Sequence, residues 1–350
     1  MINLKFKIKI LAAMSGGVDS SVAAALLVKQ GYEVIGAFMK NWSDHLGLKG
    51  ECRWYNERRD ALRVAARLDI PFVTFDFEKE FRDSVINYLF KEYAAGRTPN
   101  PDIICNREIK FPLLLREAKR LECGLLATGH YARVRDGRLF QAKDKNKDQT
   151  YFLHQLRSTD LAKIIFPLGE LTKPQVRALA KKFNLPTAEK DESMGICFVG
   201  EVPMADFLKQ RIQPNPGDIV DVHGQKLGAH QGLAFYTIGQ RHGLNINGAE
   251  PYYVASKDFQ KNQLVVAAGA EEAALWQKEG RLGNIHWISG SSLSLPAKLE
   301  VKLRHRQPGV KAVLHPDGRL EFKKPERAIT PGQFAVFYQD GECLGGGEII

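Results

Sequence analysis

Hydrophobic residues near the start of the chain follow two different periods. Apolar and polar residues alternate from Leu4 to Ile10, and an apolar run then continues to the turn SGGVDSS. Alternation predicts a strand rather than a signal peptide, because the basic residues are not followed by a long apolar segment. The stretch SVAAALLVKQ predicts a helix that ends at Gly31, and EVIGAF predicts a second strand. This order of strand, glycine turn, helix and strand indicates a βαβ unit.

The same succession of patterns continues to about residue 135. RWYNERRDALRVAARLDI and FPLLLREAKRLECG have helical periods, whereas PFVTFDF and LLATGHYARV predict strands. Strands that alternate with helices predict an α/β unit with a doubly wound, mostly parallel sheet. Ligands bind at the carboxyl ends of the strands in such sheets. SGGVDS, Met39 and the turn at Gly129 and His130 all follow predicted strands, so we expect a site there.

The pattern changes after about residue 200, which predicts two further units. MADFLKQRI is a short helical stretch, and the Gly-rich segment after it predicts a small linking domain. From about residue 282 apolar and polar residues alternate between turns at HPDG, TPGQ and QDGE. That alternation predicts antiparallel strands in a small C-terminal β-barrel. We therefore predict domains at 1–200, 201–281 and 282–350.

The turn SGGVDS combines two glycines, two serines and an aspartate in six residues. Glycines let the backbone approach a phosphate, the hydroxyls add donors, and the following helix N-terminus carries partial positive charge. The Walker A and dinucleotide-binding glycine patterns are both missing from the sequence. Nucleotide binding is the favoured interpretation, and a plain tight connection is the alternative.

Two of the five cysteines lie in suggestive surroundings. Cys105 follows the prolines of GRTPNPDIICNREIKF, which predict a rigid, non-helical loop leading into a strand-like DII with the acid Asp102. Cys197 lies in SMGICFVG, two residues after Gly195. Each thiol alone is more often a small buried hydrophobe than a reactive group. Wide spacing without a C-x-x-C predicts neither a zinc site nor a disulfide framework, and favours a cytoplasmic protein with reduced thiols.

The net charge of +10 has two interpretations. It favours a polyanionic partner, of which nucleic acid is the first candidate, or it contributes to solubility alone. Lys302, Arg304 and Arg306 alternate along a predicted strand face, which suits either phosphate contact or solvent. His223 and His230 lack a third ligand at a suitable spacing, so no metal site is predicted. No apolar run reaches the roughly 18 residues of a membrane span.

Several motifs occur together in an order that resembles the bacterial tRNA-specific 2-thiouridylases of the ATP pyrophosphatase (PP-loop) superfamily. They are AMSGGVDSS, GRTPNPDIICNREIKF, LLATGHYARV, NKDQTYFL, MGICFVGE, HQGLAFYTIGQRHGL, RHRQPG and TPGQFAVFY with CLGGGEI. The resemblance runs from about residue 10 to the C-terminus. SGGVDS alone would indicate only the superfamily, whereas the two cysteine motifs are specific to the family.

The resemblance implies an ATP-dependent exchange of the C2 oxygen of the wobble uridine of tRNA for sulfur. ATP, accompanied by Mg²⁺, would adenylate that oxygen. Cys197 would carry a persulfide, Cys105 would resolve it with a Cys105–Cys197 disulfide or free hydrosulfide as product, and Asp102 would act as general acid/base. The positions implied for ATP are Ala13, Met14, Ser15, Gly16, Gly17, Val18, Asp19, Ser20, Met39 and Gly129.

The same resemblance implies a set of tRNA contacts and a sulfur-donor protein, either a cysteine desulfurase or a sulfur relay. The implied contacts are Asn100, Pro101, Asp102, His130, Lys147, Asp148, Gln149, Arg304, His305 and Gln333. Ala13 stands where the family usually has glycine, and Arg304–His305 replaces a commoner pair of arginine and an aromatic residue. No membrane association is implied.

Two other interpretations remain open at the level of sequence. One is a different PP-loop ligase or amidotransferase acting on RNA, which would not need two cysteines in glycine- and proline-framed loops. The other is an RNA-binding module with a vestigial nucleotide loop, against which the intact SGGVDS argues.

Overall fold

The computed structural model describes residues 8–43, 53–191, 204–248 and 250–350. Within these ranges no helix is long and apolar enough to cross a membrane. The strands are β1 (Lys9–Ala13), β2 (Glu33–Lys40), β3 (Phe72–Asp76), β4 (Leu125–Ala127), β5 (Ala132–Arg135), β6 (Arg138–Gln141), β7 (Ile164–Ile165), β8 (Gly217–Asp221), β9 (Lys226–His230), β10 (Tyr252–Asp258), β11 (Gln263–Ala268), β12 (Trp276–Trp287), β13 (Ala297–Lys302), β14 (Val310–Leu314), β15 (Arg319–Arg327), β16 (Phe334–Gln339) and β17 (Glu342–Ile349).

The helices concentrate in the first half of the chain. They are α1 (Val18–Lys29), α2 (Arg53–Leu68), α3 (Glu78–Phe81), α4 (Asn87–Ala94), α5 (Pro101–Ile104), α6 (Phe111–Arg120), α7 (Thr150–Leu153), α8 (Ser158–Leu161), α9 (Lys173–Lys182) and α10 (Met204–Lys209). Two π-helical segments, Arg82–Ile86 and Cys105–Lys110, join α3 to α4 and α5 to α6. Short 3₁₀ turns occupy Leu233–Phe235 and Ala273–Leu275.

A five-stranded parallel sheet in the order β3-β2-β1-β4-β7 organises the first unit. Its central strand β1 pairs Ala13 with Ala37 of β2 and Ala12 with Ala127 of β4. One face is covered by α1, α2 and α9, and the other by α4, α5 and α6, with a hydrophobic cluster on each side. Strands covered on both faces are mainly apolar, as the central runs of β1 and β2 are, and polar residues such as Glu33 and Lys40 lie at the strand ends. The predicted doubly wound parallel sheet is confirmed.

The segment DII at residues 102–104 is helical, so its strand-like interpretation is wrong. Asn100 caps α5, because its side-chain oxygen accepts a hydrogen bond of 3.3 Å from the backbone N–H of Ile103. Pro101 occupies the first helical turn, where its fixed φ suits a helix and its missing N–H is not needed. The extended backbone before a proline ends at Asn100, and the chain continues as helix through Cys105.

The segment LLATGHYARV, predicted as a single strand, forms two separate strands. β4 ends at Ala127 and belongs to the parallel sheet, whereas β5 begins at Ala132 and forms a hairpin with β6. That hairpin pairs with β17 of the C-terminal sheet, where Cys343 lies opposite Leu139. The break at Gly129 and His130 therefore moves the chain from the first unit to the edge of the barrel.

The middle unit has the strand order β10-β11-β8-β9 and its own small core around Val254 and Leu264. The C-terminal strands follow the order β12-β15-β14-β13-β16-β17, and a further pairing of β12 with β17 closes them into a six-stranded antiparallel barrel. Closure removes the exposed edges that an open sheet would leave. The predicted C-terminal β-barrel is confirmed.

The predicted basic strand face is wrong. β13 ends at Lys302, and Arg304 and Arg306 lie in the turn that follows it. Arg306 has a left-handed backbone with φ of 65°, which no strand can accommodate. Lys302 turns inward, with its Nζ 4.9 Å from the ring centre of Tyr338 and 3.6 Å from the buried carboxylate of Asp148.

Tyr151 joins the first unit to the barrel. Its fully buried hydroxyl lies 3.1 Å from the carbonyl oxygen of Phe334 and 3.3 Å from that of Leu303. We predict that Tyr151→Phe lowers stability by about 1–2 kcal/mol, because two buried carbonyls lose their donor. Thermal unfolding would measure the loss, with Tyr55→Phe on the exposed face of α2 as the control. An unchanged melting temperature in Tyr151→Phe would contradict this role.

Candidate nucleotide and thiol site

The glycine turn between β1 and α1 is held by its own serines. The backbone N–H of Ser15 donates to Ser20 Oγ at 3.1 Å, and the two hydroxyls lie 3.2 Å apart. Ser21 Oγ donates to the carbonyl oxygen of Gly17 at 2.7 Å. Gly17 is the N-cap of α1, so the first helical N–H groups face the turn. Such a helix N-terminus is suited to an anion.

Two backbones approach this turn too closely for a side chain. Gly16 has φ of 74°, and a Cβ there would collide with the carbonyl of Glu57 in α2. A Cβ on Gly129 would lie 2.7 Å from the backbone nitrogen of Ser20. Gly129 therefore packs directly on the first turn of α1. The structure brings the predicted turn and the predicted TGH residue together at the carboxyl edge of the sheet.

The remaining residues predicted for ATP divide into two groups. Met14 and Val18 have buried side chains within the core that supports α1, and the backbone N–H of Met14 donates to the carbonyl of Ala37 at 2.8 Å. Their buried side chains are therefore not available to a ligand, and the Met14 N–H is already used within the sheet. Met39 and Ala13 belong to the other face of the sheet, where they pack in the cluster that contains Cys105.

The carboxylate of Asp19 is held by two residues that the sequence analysis missed. Lys173 Nζ lies 2.7 and 2.8 Å from its two oxygens, and the Tyr131 hydroxyl donates to one of them at 2.9 Å. Lys173 comes from the first turn of α9, where Thr172 and Gln175 form a capping box. The capping signal T-x-x-Q was readable in the sequence, but no local pattern links it to a turn more than 150 residues earlier.

A second lysine that the sequence analysis missed fixes the turn from the other side. Lys190 Nζ donates to the carbonyl oxygen of Gly16 at 3.0 Å and to the carboxylate of Asp60 in α2 at 2.7 Å. The turn is therefore connected to α2 and to the segment after α9 by one ammonium group.

The thiol of Cys105 is buried at the start of a π-helical segment. Burial raises its pKa to about 12, and the nearby Lys110 ammonium only partly opposes that shift. Asp102 lies three residues earlier on α5, where it is partly exposed. Helical spacing of three places Asp102 and Cys105 on neighbouring parts of one face. Cys197 lies outside the described residues, so its predicted pairing with Cys105 stays a prediction.

The helical segment 101–110, which carries Asp102 and Cys105, is called the thiol helix. His130 lies between this helix and the glycine turn. Its Nδ1 is 2.7 Å from Thr128 Oγ1, and its ring packs against Phe111 and Phe166. Burial, together with the Lys110 ammonium 3.5 Å from Nε2, lowers the pKa of His130 well below its usual value. The imidazole is therefore neutral at physiological pH, and it can accept or donate a hydrogen bond at its edge.

The predicted tRNA contacts at 147–149 differ in their accessibility. Gln149 Oε1 accepts from the backbone N–H of Tyr131 at 2.9 Å, which ties this loop to His130. The carboxylate of Asp148 is buried and accepts from the Ala142 N–H and the Thr150 hydroxyl. That side chain offers no exposed group, so a contact of Asp148 with tRNA would be made by its backbone, and the predicted contact stays a prediction. Lys147 is half-buried at the same loop.

The predicted contacts in the barrel make bonds within the protein. The ring of His305 packs against that of Phe152 at an angle of 52°, with ring centres 4.5 Å apart, and its half-buried position lowers its pKa. Arg304 donates to the carbonyl of Ala328 at 2.9 Å while its side chain stays exposed. The carboxamide of Gln333 donates to the carbonyl of Thr98 at 2.7 Å, in the loop before Asn100 and Pro101. The barrel thus reaches the thiol helix through that loop.

Comparison with known proteins places this geometry in a family. A family model described as the tRNA methyl transferase HUP domain matches residues 8–201. A tRNA methyl transferase PRC-barrel domain and an aminomethyltransferase beta-barrel domain match residues 205–268 and 277–349. The tRNA-specific 2-thiouridylase MnmA of Geobacillus thermodenitrificans is 46% identical over 97% of this chain and 94% of its own length. The chain belongs to the tRNA-specific 2-thiouridylase family.

Other relatives agree with this membership. The protein of the same name from Stutzerimonas stutzeri is 48% identical, over 98% of this chain and 94% of its own length. Among solved structures, a 4-thiouridine synthetase in complex with RNA and bound ATP superposes with a TM-score of 0.38 and 17% identity, covering 58% of this chain and 50% of that one. So distant a superposition bears on neither substrate nor mechanism.

The close approach of Gly129 predicts a specific effect of one methyl group. In Gly129→Ala the added Cβ would collide with the backbone of the first turn of α1, and relieving that collision would require a shift of the helix. We expect affinity for ATP to fall at least tenfold, because the helix N-terminus moves. Isothermal titration calorimetry would measure it, with Gly228→Ala as control, since a Cβ there meets nothing within 4 Å. Equal affinities in both variants would contradict the packing role.

The burial of Cys105 predicts protection from alkylation. With a pKa of about 12, roughly 1 in 10⁴ of its thiols is ionised at pH 8, against roughly a quarter for an ordinary cysteine. We therefore expect iodoacetamide to label Cys105 in the free protein at least about 100-fold more slowly than a peptide thiol, with a rate that rises with pH. Peptide mass spectrometry would measure the rate, and urea-unfolded protein is the control. Labelling at the peptide rate would show that the thiol is exposed.

Proposed function

We propose that this chain replaces the C2 oxygen of the wobble uridine of tRNA with sulfur at the expense of ATP. The observation that carries the proposal is the near full-length similarity to tRNA-specific 2-thiouridylases, which includes the glycine turn and both cysteine motifs. The fold supports this proposal, because the glycine turn follows a strand of the parallel sheet and the helix with Asp102 and Cys105 covers one face of the same sheet.

The glycine turn would bind the phosphates of ATP. Its support is the helix N-terminus behind Gly17, the small residues at 16 and 129, and the hydroxyls of Ser15 and Ser20. Asn41 adds a further argument, since neither polar atom of its buried side chain has a hydrogen-bond partner among the residues that the structure describes. It follows β2 at the carboxyl edge, where a ligand would relieve the cost of burying an unpaired amide. Mg²⁺ would accompany the phosphates near Asp19.

Adenylation solves the main chemical difficulty of the exchange. A carbonyl oxygen is a poor leaving group, whereas the same oxygen bonded to the α-phosphorus of ATP leaves as AMP. The uridine O2 would attack that phosphorus and displace pyrophosphate. A sulfur nucleophile would then add to C2, and the C2–O bond would break with AMP as the leaving group. The uridine must leave its stack for these steps.

The cysteines would deliver the sulfur. A sulfur-donor protein would load Cys197 as a persulfide, whose terminal sulfur is more acidic than a thiol and therefore ionised at neutral pH. After that sulfur bonds to C2, Cys105 thiolate would attack the Sγ of Cys197, leaving the sulfur on the base and forming a disulfide that a thiol reductant reopens. Alternatively, Cys105 would release hydrosulfide, which attacks C2 itself. The raised pKa of Cys105 requires a proton acceptor.

Asp102 is our candidate for that proton transfer. It lies one helical turn before Cys105 on α5 and is partly exposed, as a group that meets substrate must be. Asn100 and Pro101 at the start of the same helix would hold the extruded uridine. His130, neutral and fixed by Thr128, would face the tRNA at the neighbouring strand end.

The domain limits predicted at 1–200, 201–281 and 282–350 enter the proposal as catalytic, linking and tRNA-contacting parts. Lys147, Gln149, Arg304 and His305 would line the path of the tRNA, and the net charge of +10 favours a polyanion. We further propose that the protein works in the cytoplasm, where tRNA and ATP are available.

Methyl transfer is the competing function, because the descriptions of the first two matched family models name it. It differs from thiolation in its cosubstrate and in its product. A methyltransferase would need neither pyrophosphate release nor a pair of cysteines. The test below therefore includes a methyl donor.

The decisive experiment incubates the purified protein with ATP, Mg²⁺, sulfide, a thiol reductant and unmodified tRNA with a wobble uridine. We expect AMP, pyrophosphate and a nucleoside whose mass has gained one oxygen-to-sulfur exchange. Asp19→Asn should lower AMP formation about a hundredfold, since the amide would no longer hold the Lys173 ammonium or Mg²⁺ as the carboxylate would, and should leave tRNA affinity intact. Asp69→Asn, at the exposed end of α2, is the matched control.

Two outcomes would contradict the proposal. One is a methylated nucleoside when S-adenosylmethionine replaces ATP and sulfide. The other is full thiolation without ATP. Cys197→Ser should stop thiolation from a protein donor while adenylation continues, and Cys105→Ser should leave a persulfide on Cys197. Full multiple turnover by Cys105→Ser would reduce that cysteine to a packing residue.

A further inference from the structure

Residues 96–100 form the loop that leads into the thiol helix, and we call this segment the proline loop. It follows α4 and ends at Asn100, the cap of α5, so it fixes where Asp102 and Cys105 lie. Pro99 has no N–H to donate, and the loop contains no helix or strand of its own. Its shape therefore depends on bonds from other parts of the chain.

The barrel supplies most of those bonds. Gln333 Nε2 donates to the carbonyl oxygen of Thr98 at 2.7 Å and lies 3.3 Å from that of Pro99. In return, the backbone N–H of Thr98 donates to the carbonyl of Pro331 at 2.9 Å. Gly332 lies between these partners with φ of 89°, and a Cβ there would come within 2.9 Å of the Thr98 nitrogen. The turn before β16 is thus fitted closely to the proline loop.

The middle unit holds the same loop from a second direction. The hydroxyls of Thr98 and Thr237 lie 3.1 Å apart. Lys257 Nζ donates to the carbonyl oxygen of Gly96 at 2.8 Å, and the ring of Phe259 occupies the space where a Cβ on Gly96 would be. A lysine that bonds a carbonyl just after a helix also completes that helix end. The proline loop is therefore the point at which all three units meet.

The carboxamide of Gln333 has a bonding pattern that a simple tRNA contact does not require. Its two N–H groups are directed at two successive carbonyls of the loop, one at 2.7 Å and one at 3.3 Å. Those carbonyls immediately precede Asn100, whose side chain caps the helix of Asp102. A displacement of the loop would move the cap and the acid together.

We propose that Gln333 is a positioning residue, which acts from the barrel through Thr98 and Pro99 to set where Asn100 and Asp102 meet the uridine. This inference rests on the function proposed above. It gives the barrel a part in the chemical step in addition to any contact with tRNA. A misplacement of reacting groups by about 1 Å can cost two orders of magnitude in rate.

The test compares Gln333→Met, which keeps the volume and loses the two N–H donors, with Gln339→Met, an exposed glutamine on the neighbouring strand β16. Single-turnover and steady-state thiolation would be measured at saturating ATP over a range of tRNA concentrations. We expect kcat of Gln333→Met to fall at least about tenfold with KM for tRNA changed less than about twofold. Gln339→Met should match the unaltered protein.

Hydrogen exchange supplies a second readout that does not depend on the reaction. In Gln333→Met the amides of residues 98–105 should exchange faster, because the loop loses its anchor, while those of β1 and α1 stay protected. If the unaltered protein makes no thiolated tRNA, the proposed function fails, and exchange still decides whether Gln333 holds the loop. If Gln333→Met fails to fold, Thr237→Val offers a second test, because it removes the bond from the middle unit to Thr98 of the proline loop. Its kinetics and its hydrogen exchange are then measured in the same way.

Three results would overturn the inference. A raised KM for tRNA with an unchanged kcat would make Gln333 a tRNA contact. Unchanged kinetics with faster exchange would show that the anchor has no part in the reaction. Unchanged exchange in residues 98–105 would show that the loop does not need the anchor.

Discussion

The absence of a side chain at Gly16 and Gly129 is the constraint on which the site depends. The backbones of α2 and of the loop after β4 both press against the turn before α1, at distances that no Cβ would allow. That contact leaves the first N–H groups of α1 facing the edge of the sheet, where an anion can bind them. Lys173 and Lys190 lie on two sides of the turn, where each forms an ion pair with a carboxylate, Asp19 or Asp60. The proposed phosphate site would thus rely on backbone N–H groups, because the turn SGGVDS contains no lysine of its own.

The thiol helix is governed by a different requirement. Cys105 is buried and its thiol is protonated in the free protein, whereas the proposed chemistry needs it as a nucleophile. Burial protects a reactive sulfur from oxidants until substrate arrives, and it makes ionisation depend on a neighbouring base such as Asp102. The proline loop positions both residues, and this loop is bonded to the barrel through Gln333 and to the middle unit through Thr98. If the proposed chemistry takes place at this helix, its placement would depend on three units rather than on the α/β unit alone.

The junction between the barrel and the first unit consequently has two kinds of residue. Asp148 and Tyr151 of the first unit are buried, and they reach the barrel through the ion pair of Asp148 with Lys302 and the hydrogen bond of Tyr151 to the carbonyl oxygen of Phe334. Arg304 remains exposed beside them, and under the proposed function it would contact the phosphate backbone of tRNA. A mutation at the first kind would then change stability, and a mutation at the second would change the salt dependence of tRNA binding. Separating these effects matters, because both kinds lie within the motifs that resemble family tRNA contacts.

The sequence by itself determined the parallel sheet, the barrel and the glycine turn, because hydrophobic period and turn residues are local signals. It also indicated Gly129 at a strand end. Predictions from local signals were wrong at DII, where a proline at the first helical turn outweighs β-propensity. They were also wrong at the basic triplet 302–306, because the strand ends at Lys302 and a turn with a left-handed residue follows. Only the tertiary structure brought Lys173 to Asp19, buried Asp148 and directed Gln333 at Thr98. These pairs are distant in the chain, and their contact follows from how whole layers pack, which no short stretch of sequence encodes.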